Sequence, residues 1–269
     1  MSGFVLTRRA LPDGRLDLSA LLPARLAALS VAEVERLKLG EAASCCVADV
    51  FSVRCGAPER LVVEGGSDRF DSVGACLDRG EVRLEGDAGQ FAGRSMTGGR
   101  LIVQGQVGGL AASGLRGGVM EVAKHAGPLL GGAAPGAQTG MAGGIVVVRG
   151  SAGPRAGDRM RRGLLVVEGD AGEGVASRMV AGTVIVCGTA GQRAGILMRR
   201  GTLLLGGLAA PLAPTFVPAM VDAAGVFTRL LRRAVAPFSD AAAELCVAAA
   251  ERFLGDMATL GRGEVFLRQ

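Results

Sequence analysis

Short β-prone runs, each opened and closed by glycine, recur through the middle of the chain. VRL, LIV, IVVV, LLVV, VIV and LLL fall within the five positions after Gly80, Gly99, Gly144, Gly163, Gly182 and Gly201. Each has the length and composition of a short strand. The opening glycines, with Gly118 among them, lie 19 residues apart except for one interval of 26. A closing series runs in phase at Gly86, Gly105, Gly150, Gly169, Gly188 and Gly207. The consensus is G-x-[LV]-x-[VL]-x-G-x-A-G-x-x-A-G-x-x-M, clearest in GIVVVRGSAGPRAGDRM from Gly144 and GTVIVCGTAGQRAGILM from Gly182. LVVEGG at Leu61–Gly66 is a degenerate first copy, and the copy from Gly118 carries seven extra residues. That insertion, Pro128–Met141, reads equally as a partner-contact loop or as a plain bulge.

Residues that stay alike at one repeat position stack on each other. Ala88, Ala152, Ala171 and Ala190 share one position; Met96, Met160, Met179 and Met198, with Leu115 substituting, share another. A 19-residue period is too short for helix-pair repeats or leucine-rich repeats. It predicts an all-β fold: a right-handed parallel β-helix of about eight coils, successive strands about 4.8 Å apart. Outward strand positions Ile145, Val147, Leu164 and Val166 are apolar. They predict a face covered either by the C-terminal helices or by partner subunits.

The flanks read differently. Residues 1–55 form an N-terminal cap segment. It has a strand at Phe4–Thr7, a helix at Leu21–Leu29 and a capping box at Ser30 and Glu33 with a stop at Gly40; a strand at Val47–Val53 leads into the repeats. Residues 56–207 are the repeat domain. Residues 208–269 are a Pro-rich linker and a helical segment. One helix runs over Val221–Val235 and is broken by Pro237; a second starts at Ser239 or Asp240, runs through Leu254 and stops at Gly255. Both flanks are candidates to cap the open strand edges at the solenoid ends.

Composition narrows the chemistry. Of 269 residues 44 are glycine, there is no Trp or Tyr, and there is one histidine. Glycine does not recur every third residue, which excludes collagen. Nine scattered Phe do not make a base-stacking platform, so no nucleic-acid partner is expected. A multi-histidine metal site is impossible. The net charge of +5 is carried almost wholly by arginine, the lysines being Lys38 and Lys124. The six cysteines contain no C-x-x-C pair and read as reduced thiols of a cytoplasmic protein. Arg8, Arg9, Asp13, Arg15 and Asp17 interrupt any apolar run near the start, so no signal peptide is expected. The long uncharged stretches Ala126–Val148 and Gly201–Val221 hold too much glycine and proline for a membrane-spanning helix.

Candidate sites are few. The glycine loops such as Gly150–Gly157 lack the lysine-bearing helix of a phosphate loop. His125, beside Lys124, is a candidate base, and Glu85, Asp87, Glu168 and Asp170 flank strand-end glycines. Both sets read better as structural. The arginines make a sharper pattern. Arg159 and Arg178 share a repeat position in consecutive coils, Arg155 and Arg193 match two coils apart, and Arg161 and Arg162 match Arg199 and Arg200. Stacked like charges need internal acids, with Asp158, Glu168, Asp170 and Glu173 the candidates, or an anionic partner.

The repeat resembles the β-helical domain shared by the C subunit of formylmethanofuran dehydrogenase and the C-terminal region of the glutamate synthase large subunit. The likeness is nearer to the C subunit of the methylotroph formyltransferase/hydrolase complex. It is carried by LVVEGGSDRFDSVGA (Leu61–Ala75), GDAGQFAGRSMTGGRLIVQG (Gly86–Gly105) and VVRGSAGPRAGDRMRRGLLVVEGDAG (Val147–Gly172). LMRRGTLLL (Leu197–Leu205), PLAPTF (Pro211–Phe216) and LDLSALLPARLAALSVAEVERL near the start also carry it. The resemblance implies a cytoplasmic scaffold subunit of a hetero-oligomer in one-carbon metabolism. In such a complex a formyl group passes from tetrahydromethanopterin to a methanofuran-type carrier with a glutamate-rich tail and is hydrolysed to formate. It further implies that the partners are the metal-holding, amidohydrolase-like A subunit, the B subunit and the formyltransferase D subunit. This chain would then have no cofactor, metal, catalytic residue or active site of its own. Two other readings stand beside it: a spacer domain like that of glutamate synthase, and an independent β-helical enzyme using His125.

Overall fold

The computed structural model describes residues 3–11, 13–40, 45–220 and 225–268. In the N-terminal segment, strands β1 (Gly3–Arg8) and β2 (Leu16–Asp17) precede helices α1 (Pro23–Leu26), α2 (Val31–Glu35) and α3 (Val47–Val50). That segment ends in β3 (Phe51–Gly56), and the repeats supply β4 (Arg60–Glu64), β5 (Phe70–Asp71), β6 (Glu81–Glu85), β7 (Thr97–Val103), β8 (Gly117–Val122), β9 (Ala142–Val148), β10 (Arg162–Val167), β11 (Thr183–Ala190) and β12 (Arg200–Leu208). The chain continues through β13 (Val217–Ala219), α4 (Val226–Val235), α5 (Asp240–Ala248), β14 (Ala249–Gly255) and β15 (Arg262–Arg268). A 13-stranded sheet runs β13-β14-β15-β12-β11-β10-β9-β8-β7-β6-β4-β1-β3. Every neighbouring pair from β1 to β15 in this order is parallel; the antiparallel pairs of this sheet lie at its two ends, β1 with β3 at one and β15 with β14 and β14 with β13 at the other.

The register reproduces the sequence period. Leu165 pairs with Val184 and Val184 with Leu203, each one repeat on, and the longer interval is absorbed between Met120 and Val146. A second parallel ladder links Ala88, Val107, Ala126, Ala152, Ala171 and Ala190. Each repeat therefore contributes one strand to the sheet and one rung to a second column. Of the closing glycines, Gly188 is required by close approach: a Cβ there would lie 2.8 Å from Gly169 C. Gly207, where the repeat ends, would meet nothing nearer than 3.6 Å.

Met96, Leu115, Met141, Met160, Met179 and Met198 form one fully buried column. Flexible thioethers fill this narrow interior, which has no room for Trp or Tyr. The outward strand positions divide the molecule. Arg83, Ile102 and Glu121 are half-exposed, whereas Val147, Val166, Ile185 and Leu204 are fully buried. Val235 of α4 and Ala242, Leu245 and Cys246 of α5 cover these last four in a second core. The chain's own helices thus form the predicted cover, and Ile145 and Leu164 are partly buried at its margin.

Three flank readings need correction. Val47–Val53 is not one strand. Asp49 accepts hydrogen bonds from the Cys46 amide (2.7 Å) and thiol (3.1 Å), which turns Val47–Val50 into α3 before β3 begins. The helix predicted over Leu21–Leu29 is only the four residues of α1. The last helix ends at Ala248, not Leu254, because residues 249–255 pair antiparallel with β15, a strand the helical pattern did not reveal. Gly255 is no helix stop; it lies against Phe216, where a Cβ would come within 2.6 Å of the ring. Val221, the expected start of the preceding helix, lies outside the described residues; α4 itself begins at Val226. The Ser30–Glu33 capping box and the first strand are as expected.

Candidate functional site

The corners between strands hold residues in the left-handed backbone region at fixed repeat positions. One column is Ser72, Phe91, Leu110, Leu129, Arg155, Gly174 and Arg193; another includes Cys76, Ser95, Arg159, Arg178 and Leu197. Four predicted arginines therefore sit at φ between +53° and +60°. The fold imposes this conformation on whatever residue is present, at a cost of about 1 kcal/mol for a non-glycine.

Asp158 organises these arginines. Its buried carboxylate accepts hydrogen bonds from Arg178 Nε and Nη2 (2.9 Å each), Arg155 Nη2 (3.2 Å) and Ser177 Oγ (2.7 Å). Arg193 meets Glu173 at 3.3 Å, with both side chains more than half exposed. Arg159 Nη1 donates to Ala137 O (3.2 Å) in the insertion. Of the candidate neutralising acids, Asp158 and Glu173 serve this cluster. Glu168 instead pairs with Arg149 and accepts from Ser239 Oγ at 2.6 Å, and Asp170 accepts the Thr189 amide at 2.7 Å.

Three hollows adjoin along this corner face. The first, about 410 Å³, is lined by Arg155, Glu173, Arg178 and Arg193 together with Pro154, Ile196 and Leu197. The second, about 310 Å³, shares Arg155 and Arg178 and adds Arg159 and the insertion residues Ala133–Gln138. The third, about 360 Å³, shares Gln138, Arg159, Arg178 and Leu197 and adds Arg199. Arg161, Arg162 and Arg200 do not line these hollows; they are exposed residues before or at the start of β10 and β12. Eight candidate arginines thus resolve into five around one trough and three outside it.

His125 belongs to a different column. Its Nδ1 accepts the Ser151 amide at 3.1 Å, one repeat on. Asp87 accepts from the Gln106 amide (2.9 Å), Ser151 Oγ from Asp170 N (3.1 Å), and Asp170 from Thr189 N (2.7 Å). The imidazole is one rung in a side-chain ladder that ties successive corners together. Glu85 meets Arg83 at 3.6 Å and not a second carboxylate. Among the described residues no His, Cys, Asp and Glu group could hold a metal ion.

No family model matches the chain. Over 84 residues it is 43% identical to the C subunit of the formyltransferase/hydrolase complex Fhc of Methylorubrum extorquens. That matched stretch spans 31% of this chain and only 31% of that curated relative's length. Similarity to a solved structure extends over nearly all of it. A chain in the X-ray crystal structure of the formyltransferase/hydrolase complex FhcABCD from Methylorubrum extorquens, in complex with methylofuran, superposes with a TM-score of 0.93. It is 41% identical, and the match covers 98% of this chain and 99% of that one. The chain belongs to the C subunit family of formyltransferase/hydrolase complexes.

Several polar links in this C subunit family member were not apparent from the sequence. Asp256 is buried and accepts the amides of Leu197 (2.9 Å) and Ala258 (2.8 Å), which fastens the C-terminal segment to the last corner. Burial pushes its carboxyl up, but hydrogen bonds, these two amides among them, outweigh that and hold it below the ordinary carboxylate value. Ser239 both caps α5 through the Ala242 amide (3.2 Å) and reaches Glu168, 71 residues away. No local pattern signals contacts of that sequence separation. All six cysteines are free. Burial beneath the helical cover pushes the Cys187 thiol up to about 12 and the Cys246 thiol up to about 11. No helix among the described residues is long and apolar enough to cross a membrane.

Proposed function

We propose that this chain is the non-catalytic architectural subunit of a cytoplasmic formyltransferase/hydrolase complex. In this reading the repeats at 56–207 form a right-handed parallel β-helix, and segments 1–55 and 208–269 close its two ends. The chain docks the amidohydrolase-like A subunit, the B subunit and the formyltransferase D subunit. Those partners move a formyl group from tetrahydromethanopterin to a methanofuran-type carrier and hydrolyse it to formate, with metal held in a partner. The observation that carries the proposal is the match along 98% of this chain to a chain of a solved FhcABCD complex that contains methylofuran. The strand order supports the solenoid: each 19-residue repeat adds one parallel strand in sequence order. The eight arginines are proposed contacts for an anionic partner. The alternative, an independent enzyme with His125 as base, is disfavoured because Nδ1 is engaged by the Ser151 amide.

The test is mild affinity purification of the tagged chain from its native host, followed by assay of formyl transfer and formate release on the complex and on the isolated chain. The expected result is recovery of amidohydrolase-like and formyltransferase-like partners, with activity only in the complex. Activity in the isolated chain, or recovery with amidotransferase partners instead, would overturn it.

A further inference from the structure

Helix α4 carries more apolar surface than its own fold uses. Residues four apart on a helix lie one above another. Phe227, Leu231 and Val235 form the row that faces the protein. Phe227 stacks on Phe266 with ring centroids 5.9 Å apart, Leu231 packs against the second core, and Val235 is fully buried in it. Val226, Leu230 and Ala234 form the row beside it, and all three are exposed, Leu230 to 63%. Arg229 and Arg233, three residues on from Val226 and Leu230, flank this second row on its far side and are exposed as well. The apolar arc of α4 is thus two rows wide, and the sheet beneath takes only one of them.

The outer row is preorganised. Phe227 anchors the first turn and Val235 the last, and Thr228 Oγ1 donates to Gly225 O at 2.9 Å where the helix begins. Docking on such a helix carries little ordering cost. Aliphatic side chains at i, i+4 and i+8 are the pattern by which a helix seats in an apolar groove. The charges describe the rim of that groove. Among the described residues no carboxylate forms an ion pair with Arg229 or Arg233. An acidic rim would complement them, whereas α4 of a second copy would bring arginines against arginines. A lipid surface suits the row less well. One myristoyl chain holds a membrane only marginally, and the side chains of Val226 and Leu230 together carry about half as many carbons.

We propose that the Val226–Leu230–Ala234 row docks in an apolar groove with an acidic rim on a partner subunit of the complex. The proposal rests on the scaffold reading given above and names the face that the chain uses. The test purifies the tagged full chain from its native host and quantifies each co-purifying subunit by mass. L230E places a carboxylate in the groove, and R229E/R233E sets like charge against its rim. Each should lower recovery of one and the same partner about tenfold or more. L230M and R229K/R233K should recover that partner as the parent does. All four replace exposed side chains, so their urea midpoints should match the parent's. Amides of α4 should exchange with deuterium at least tenfold more slowly in the complex than in the isolated chain. Full recovery by L230E and R229E/R233E, or equal exchange of α4 in complex and chain, would overturn the proposal and leave the scaffold reading standing. Equal loss in L230E and L230M would overturn it too. So would a parent chain that self-associates through L230E-sensitive contacts, or that binds phosphatidylserine vesicles in an L230E-sensitive way, because each names a different occupant. A parent that recovers no partner sinks the scaffold reading and this proposal with it.

Discussion

Ile102 and Ile185 occupy the same outward repeat position, linked strand by strand through Glu121, Val147 and Val166. Their surroundings differ. Ile102 is half-exposed, whereas Ile185 is fully buried beneath the C-terminal helices. Truncating each to alanine therefore separates the effect of the cover from that of the strand. Ile185→Ala removes three carbons between Val166 and Leu204, which the parallel ladder holds one strand spacing to either side. A ladder fixed on both sides cannot collapse into the gap, so the loss belongs in the upper part of the usual range for a large-to-alanine core change, about 3–4 kcal/mol. Ile102→Ala loses only part of a side chain already in water, about 1 kcal/mol or less. Urea unfolding of the two variants and the parent, analysed for midpoint and slope, gives both differences. Equal destabilisation at the two sites, or less than about 1 kcal/mol at Ile185, would refute the assignment of the helices as the cover on that face.

The hub of the arginine cluster should be costly to remove. Asp158→Ala loses four hydrogen bonds to its buried carboxylate but leaves partly exposed arginines that regain water, so a loss of about 2 kcal/mol in urea unfolding is expected. A thiol reagent at pH 8 should modify exposed Cys55 and Cys76 quickly and leave Cys187 and Cys246 until the helices undock; rapid modification of all four would contradict the cover. Asp256 has its carboxyl lowered in the folded state, so it favours folding above its unfolded value and loses that contribution as pH falls through the folded one. Asp256→Asn should therefore melt lower than the parent near neutral pH, with the gap closing in acid. A gap that does not vary with pH would refute the linkage.

The repeating parallel sheet was legible because most repeats carry their own marker. An opening glycine, a short run and a buried Met, or Leu at 115, recur whatever the neighbouring repeat does. The ends were less legible because their partners are remote. β15 pairs with β12, and no local pattern in AAERFLG favours strand over a continued helix until VFL at 265–267 stands beside it. The trough was half legible. Stacking of Arg159 and Arg178 follows from spacing alone. The left-handed corners do not, because Phe91, Leu110 and Leu129 adopt them as well as glycine does. Nor does spacing tell Arg159, inside the trough, from Arg161, outside it. His125 attracted notice as a lone histidine, but the ladder formed by Asp87, Ser151 and Asp170 gives it a structural role.

The 26-residue interval is absorbed at a corner, while Met120 and Val146 remain paired in the strands on either side. Length added at a corner thus leaves the sheet in step, whereas adding or removing a whole repeat changes the distance between the two antiparallel ends. That distance is quantised in increments of about 4.8 Å. The glycines mark those increments along the sheet. Whatever attaches near β3 at one end and β13 at the other is held at a separation set by the number of repeats, and corner loops are free to diversify without altering it.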